Sequence, residues 1–166
     1  MLENLETELN NFAKNVVFKA RANAQKKSAT GTLASSIYAD LRTHKQSFSL
    51  EFWMSPYGEF VDKGVSGKKK KYKTPFSYRD KMPPSNVFLK WIKIRGIKGR
   101  GKNGRFITNK SLSFLIARSI FNKGLKPSLF FTKPFEQEFK GLSDELVEAF
   151  GLDIDNFLKY TLDKYE

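Results

Sequence analysis

Between positions 63 and 110 the chain carries 16 Lys and Arg against a single acid, Asp80. A stretch this charged is too polar to fold alone, so it has to be held between packed anchors. Upstream, Tyr57, Phe60 and Val61 share one face of a short helical turn that Gly64 can end in the left-handed conformation. Downstream, Pro83 and Pro84 block any earlier helix and Ser85 stands as N-cap. Val87, Phe88, Trp91 and Ile92 then follow on one face as far as Gly96. Between the anchors lies the run Lys68, Lys69, Lys70, Lys71 and Lys73. Past the second anchor a glycine-rich loop carries Arg100, Lys102 and Arg105. The pattern predicts a basic arm presented to a large acidic partner.

The rest of the chain is charged in the opposite sense. Of a net charge of +13, positions 63–110 contribute more than the whole, because the remainder holds 14 basic and 16 acidic residues. From position 136 onward there are nine acids and three lysines. A basic middle with an acidic tail suits a polyanion, or neighbouring copies that pack basic face on acidic face.

At 166 residues the simplest organisation is one domain, 1–166, with 63–110 as an insertion within it. Sixteen phenylalanines predict an aromatic-rich core. The absence of cysteine excludes disulfides, thiolate metal sites and cysteine catalysis. No apolar run approaches the roughly 20 residues of a membrane helix. Glu3, Glu6 and Glu8 stand where a signal peptide would carry basic and then apolar residues. The expectation is a soluble, non-secreted protein with no membrane partner.

The expected fold class is α+β: a small antiparallel sheet packed by a long N-terminal helix and by C-terminal helices. Leu2, Leu5, Leu9, Phe12, Val16, Ala20 and Ala24 step by three and four, an amphipathic helix with one buried stripe. From Thr32 the pattern alternates, with Leu33, Ile37, Ala39 and Leu41 on one side. After the polar turn Thr43-His44-Lys45-Gln46 a second alternation places Phe48, Leu50, Phe52 and Met54 inward, which completes a β-hairpin. A helix starting near Ser111 turns Leu112, Leu115, Ile116, Ser119 and Ile120 to one face and ends at Gly124. Residues 127–131 read as a short return strand. Pro134 opens a helix with the stripe Phe135, Phe139, Leu142 and Leu146. Gly151 breaks it, and Ile154, Phe157, Leu158 and Leu162 form a last helix.

Little in the sequence carries enzyme chemistry. Residues 99–104 match G-x-G-x-x-G, but no apolar strand precedes them and no helix opens on the last glycine. Glu51, Glu59, Asp62 and Asp80 lie near the basic middle at spacings that suit no metal-dependent nuclease. His44, the one histidine, sits in the hairpin turn with no serine to activate. No catalytic residue, metal ligand or cofactor is expected. The lysine run reads either as a solvated loop or as a phosphate-contacting one. Tyr72, Phe76 and Tyr78, interleaved with it, either stack on exposed bases or pin the loop to the domain.

Three pieces, taken in order, resemble a known family. Residues 30–37 (Thr-Gly-Thr-Leu-Ala-Ser-Ser-Ile) lead into the hairpin, residues 57–64 (Tyr-Gly-Glu-Phe-Val-Asp-Lys-Gly) follow it, and Lys-Pro-Ser-Leu-Phe-Phe-Thr-Lys-Pro-Phe at 126–135 precedes the final helices. In that order they are similar to the neck, or tail-component, proteins of tailed bacteriophages, over roughly residues 5–150. Asp62 stands where that family carries Glu, and the 68–105 insertion exceeds its compact core. The resemblance implies a non-enzymatic ring subunit of the virion head–tail junction, assembled in the host cytoplasm with six- or twelve-fold symmetry. Implied partners are other copies, the portal or a head-completion adaptor, a tail protein, and genomic DNA in the lumen. It also implies that Gly31 and Ile37 set the lead-in to the hairpin and that Tyr57, Phe60 and Gly64 build the turn beside it. Pro127, Phe130 and Pro134 would form the return to the sheet. A free nucleic-acid-binding protein is the alternative, and a nuclease a weaker third.

Overall fold

The stripe at Phe12, Val16, Ala20 and Ala24 is fully used. In a computed structural model, which describes residues 2–27, 30–44 and 47–163, these four side chains are buried on helix α1 (Glu3–Lys27). The chain is α+β, and its contacts fall into two compact units: Met1–Ser55 with Phe130–Glu166, and Pro56–Leu129.

In the first unit, α1 lies against α6 (Thr132–Asp163), and both pack on a two-stranded hairpin. The hairpin pairs β1 (Tyr38–Thr43) with β2 (Phe48–Trp53), Tyr38 opposite Trp53 and Thr43 opposite Phe48. The His44 amide donates to the Ser47 carbonyl at 2.8 Å and closes the turn. Lys45 and Gln46, read from the sequence as part of that turn, lie outside the described residues. Phe12, Val16 and Leu142 form the buried centre, with Leu50, Phe52, Phe131, Phe135 and Leu146 around it. The core is aromatic, as the phenylalanine content predicts. Phe12 meets Phe52 and Phe135 edge-on at 6.2 and 5.7 Å, the geometry that ring quadrupoles favour.

Two readings of this unit need correction. The stretch from Thr32 is not strand but a single helical turn, α2 (Thr32–Ser35). Leu33 and Ala34 are both buried, which a period of two cannot achieve for neighbours. The Ser35 and Ser36 hydroxyls donate back to the carbonyls of Thr32 and Leu33 at 3.0 and 2.8 Å and hold the turn. Nor does Gly151 end a helix: α6 runs unbroken through it for 32 residues. Packing on α1 on both sides of the glycine outweighs its poor propensity, since Leu142, Ala149 and Asp153 are all buried.

The second unit holds α3 (Gly58–Lys63), β3 (Val65–Ser66), α4 (Val87–Arg95), α5 (Asn109–Lys123) and β4 (Gly124–Leu125). The return strand is therefore Gly124–Leu125 and not 127–131, and it pairs with β3 in a sheet separate from the hairpin. Pro127 supplies no amide for a ladder there, and Leu129 adopts a positive φ of 50°. Three apolar faces also differ from expectation. On α3 the buried residues are Gly58 and Asp62, while Tyr57 and Phe60 are exposed. On α4 only Ile92 is fully buried, and Val87 and Trp91 face outward. On α5 the buried residues are Ser113 and Ala117, with Leu115 outside. Ser85 does not cap α4 through its side chain; its carbonyl accepts from the Phe88 amide at 3.1 Å. Gly64 has a positive φ of 74° with ψ at 176°, so it leaves α3 extended rather than left-handed helical.

Candidate functional site

The lysine run is built onto the end of a helix. The amides of Lys68 and Lys69 donate to the carbonyls of Phe121 and Asn122 at 2.8 and 2.9 Å, and that of Lys70 reaches Asn122 at 3.2 Å. These are carbonyls from the last turn of α5, which an isolated helix leaves unpaired. Cationic side chains at that end also complement the helix dipole. The turn is closed by the Gly67 amide on the Lys70 carbonyl at 2.8 Å.

The crossing is close enough to require glycine. A Cβ on Gly67 would run into the Asn122 carbonyl and the Gly124 nitrogen; one on Gly124 would run into the Val65 carbonyl and the Gly67 nitrogen. Gly124 also sits at φ 74°, where a side chain is strained.

Ser66 braces the other side of the loop. Its backbone accepts from Tyr78 and donates to Phe76, each at 2.8 Å, while its hydroxyl accepts from the Tyr72 amide at 2.9 Å. Thr74 donates through its hydroxyl to the Gly64 carbonyl at 2.8 Å. The three aromatics serve the loop itself. Phe76 meets Phe60 edge-on at 4.6 Å, Tyr78 lies 6.3 Å from Phe121, and the Lys70 ammonium sits over Tyr72 at 5.4 Å. Burial pushes the pKa of Tyr78 up. Of the two readings these rings allowed, pinning the loop is the one the geometry carries. Lys68, Lys69, Lys70, Lys71 and Lys73 remain exposed on a backbone fixed from both sides.

Arg100, Lys102 and Arg105 belong to a different place. The Gly99 carbonyl accepts from the Ile107 amide at 3.0 Å and the Gly101 amide donates to Arg105 at 2.8 Å. The glycine-rich loop is thus a small hydrogen-bonded hairpin. It packs beside Leu112 near the start of α5, where the Thr108 hydroxyl accepts from the Ser111 amide. Arg100 lies over the Phe106 ring at 4.8 Å, with Lys98 at 5.9 Å from the same ring. With 15 residues in α5, the two basic clusters stand on the order of 20 Å apart along its axis. They are two patches at opposite ends of one helix.

The residues singled out by motif divide between the units. Ile37 and Phe130 are buried in the first unit, as is Pro134, which occupies the first turn of α6 where a missing amide costs nothing. Gly31, at φ 73°, leads into α2. In the second unit, Pro127 lies directly against Gly64, Tyr57 is the N-cap of α3 and Phe60 lies within it. Phe121, Asn122 and Ser66 went unnoticed in the sequence, where Gly124 reads only as the end of a helix. Only the pairing of Ser66-Gly67 with Gly124 could have signalled them, and single glycines do not announce a partner 57 residues away.

Among the described residues no three His, Asp or Glu side chains come together as a metal site, and no helix is long and apolar enough to cross a membrane. Compared with protein-family models, curated proteins and solved structures, the chain matches none.

Proposed function

We propose that this chain is a structural subunit of the tailed-phage head–tail junction, a ring component that joins the portal or a head-completion adaptor to the tail. The observation that carries the reading is the lysine turn: four consecutive cations on a backbone locked to α5. A surface held this rigidly loses little conformational entropy when it meets an acidic partner. The three motifs in phage-neck order add support, as does the charge asymmetry, which a self-assembling subunit can use between copies. In this reading the basic patches face neighbouring proteins or DNA in the lumen, and assembly occurs in the host cytoplasm.

Quantitative mass spectrometry of purified particles of the source virus tests it. A fixed count of six or twelve copies per virion is expected. Absence from mature particles would overturn the reading and favour a free nucleic-acid-binding protein.

A further inference from the structure

Two helices expose apolar stripes of opposite electrostatic character. On α4, Phe88, Leu89 and Ile92 turn inward, while Val87, Trp91 and Ile94 form an outward row with Val87 58% exposed. At 3.6 residues per turn these three fall within about 60° of one another, nearly opposite Ile92. Lys90 and Arg95 flank the row on its two sides, and α4 contains no acid.

The C-terminal half of α6 is the counterpart. Val147, Phe150, Ile154 and Leu158 repeat at three- and four-residue steps and are all exposed, Val147 by 74%. Along one edge of that row run Asp144, Glu148 and Asp155. The row spans about 16 Å and the α4 row about 10 Å, so α4 fits along it entirely. Apolar helix faces of this extent mark interaction surfaces on soluble chains.

We infer that α4 of one copy docks along the C-terminal half of α6 of a second copy, apolar row on apolar row, with Lys90, on one side of the α4 row, meeting the edge formed by Asp144, Glu148 and Asp155. A second copy is the occupant that the charges select. Two α6 rows would set acid against acid and two α4 rows base against base, whereas each chain carries one of each. Such a contact is heterologous, so every copy offers a donor face and an acceptor face, and a closing rotation yields a ring. The inference rests on the reading of the chain as a self-assembling subunit and assigns its interface.

A charge exchange tests it. One variant carries Lys90→Glu; the other carries Asp144→Lys, Glu148→Lys and Asp155→Lys; circular dichroism confirms that both are folded. Light scattering after size exclusion reads the mass of each alone and of the equimolar mixture. The wild type is expected to assemble, each variant to need about tenfold or more higher concentration to do so, and the mixture to recover the wild-type mass. Two results would overturn the interface while leaving self-assembly intact: variants that assemble like wild type, or a mixture that recovers nothing. A wild type that stays monomeric at every concentration would overturn the docking itself, and the virion copy count would still decide the neck reading.

Discussion

The carboxylate of Asp153, in the C-terminal half of α6, caps the start of α1 at Asn4. Its Oδ1 accepts from the Asn4 amide at 3.1 Å and from the Asn4 side-chain Nδ2 at 2.9 Å, and its Oδ2 accepts from the Leu5 amide at 3.1 Å. This is an N-cap supplied by a residue 149 positions away, and it ties the two long helices of the first unit at one end. Burial pushes the Asp153 pKa up, but the amide donors of Leu5 and Asn4 and the Asn4 side chain outweigh it, leaving the carboxyl below its ordinary 3.8.

Asp153→Ala is therefore expected to lower the melting temperature of the first unit by about 2–4 °C, the usual effect of losing a cap in a chain this size. A depressed carboxyl pKa adds stability above the unfolded value and loses it as pH falls through the folded one. The wild-type advantage over Asp153→Asn should hold at pH 6–7 and shrink below about pH 4. Fluorescence of Trp53, stacked on Tyr38 at 6.3 Å, follows that unit once Trp91 is changed to Phe. A difference that is constant from pH 7 to pH 3 would contradict the ionic cap.

Gly124→Ala forces a methyl group into the Val65 carbonyl and the Gly67 nitrogen at a positive φ. Backbone cannot give way as a side-chain tip can, so the expected loss is on the order of 3 kcal/mol. It should be local. Hydrogen exchange measured by mass spectrometry is expected to rise across β3, β4 and residues 66–78, with α1 and α6 unchanged. Uniform loss of protection would mean that the crossing holds the whole chain together.

How much of this was legible in the sequence depended on whether one residue's neighbours lay close along the chain. The α1 stripe and the hairpin were readable because Phe12, Val16, Leu50 and Phe52 repeat with a regular period. The α2 turn was not, since Leu33 and Ile37 satisfy an alternating pattern as well as a helical one until the burial of Ala34 decides between them. The face of α4 was misread for a related reason. Val87, Trp91 and Ile94 are as apolar as Phe88, Leu89 and Ile92, and only packing tells the inner row from the outer. The basic residues of the site were all visible. What fixes them was not, because Asn122 and Gly124 act through backbone contacts that no side-chain pattern records, and Ser66 adds to its own backbone bonds a hydroxyl that serves the backbone of Tyr72.

Replacing Lys68, Lys69, Lys70 and Lys71 together by Ala separates the two roles of the lysine turn. Capping of α5 runs through backbone amides, which alanine keeps, so stability should fall by no more than about 1 kcal/mol. If duplex DNA is taken as the polyanion, the log–log salt dependence of binding should become shallower by about 0.9 for each lysine that meets a phosphate. An unchanged slope in a titration of labelled duplex would leave the lysines only their role beside the α5 dipole.

Gly151→Ala discriminates between a broken α6 and a continuous one. Were Gly151 to end a helix in the left-handed conformation, a Cβ would be strained there and the variant would be less stable. In the structure Gly151 lies inside α6 without a positive φ, and a Cβ at that position meets nothing within 4 Å. Alanine then removes the entropic cost that glycine imposes on a helix interior, about 0.5–1 kcal/mol. The expected result is a gain of that size in urea unfolding of the first unit, with a slight rise in helical ellipticity. The same variant bears on the proposed docking face, because Gly151 lies beside Val147 and Ile154 on the outer side of the helix. Firming α6 there should leave assembly at wild-type strength or above, whereas a stable variant that no longer assembles would place a partner's backbone against Gly151.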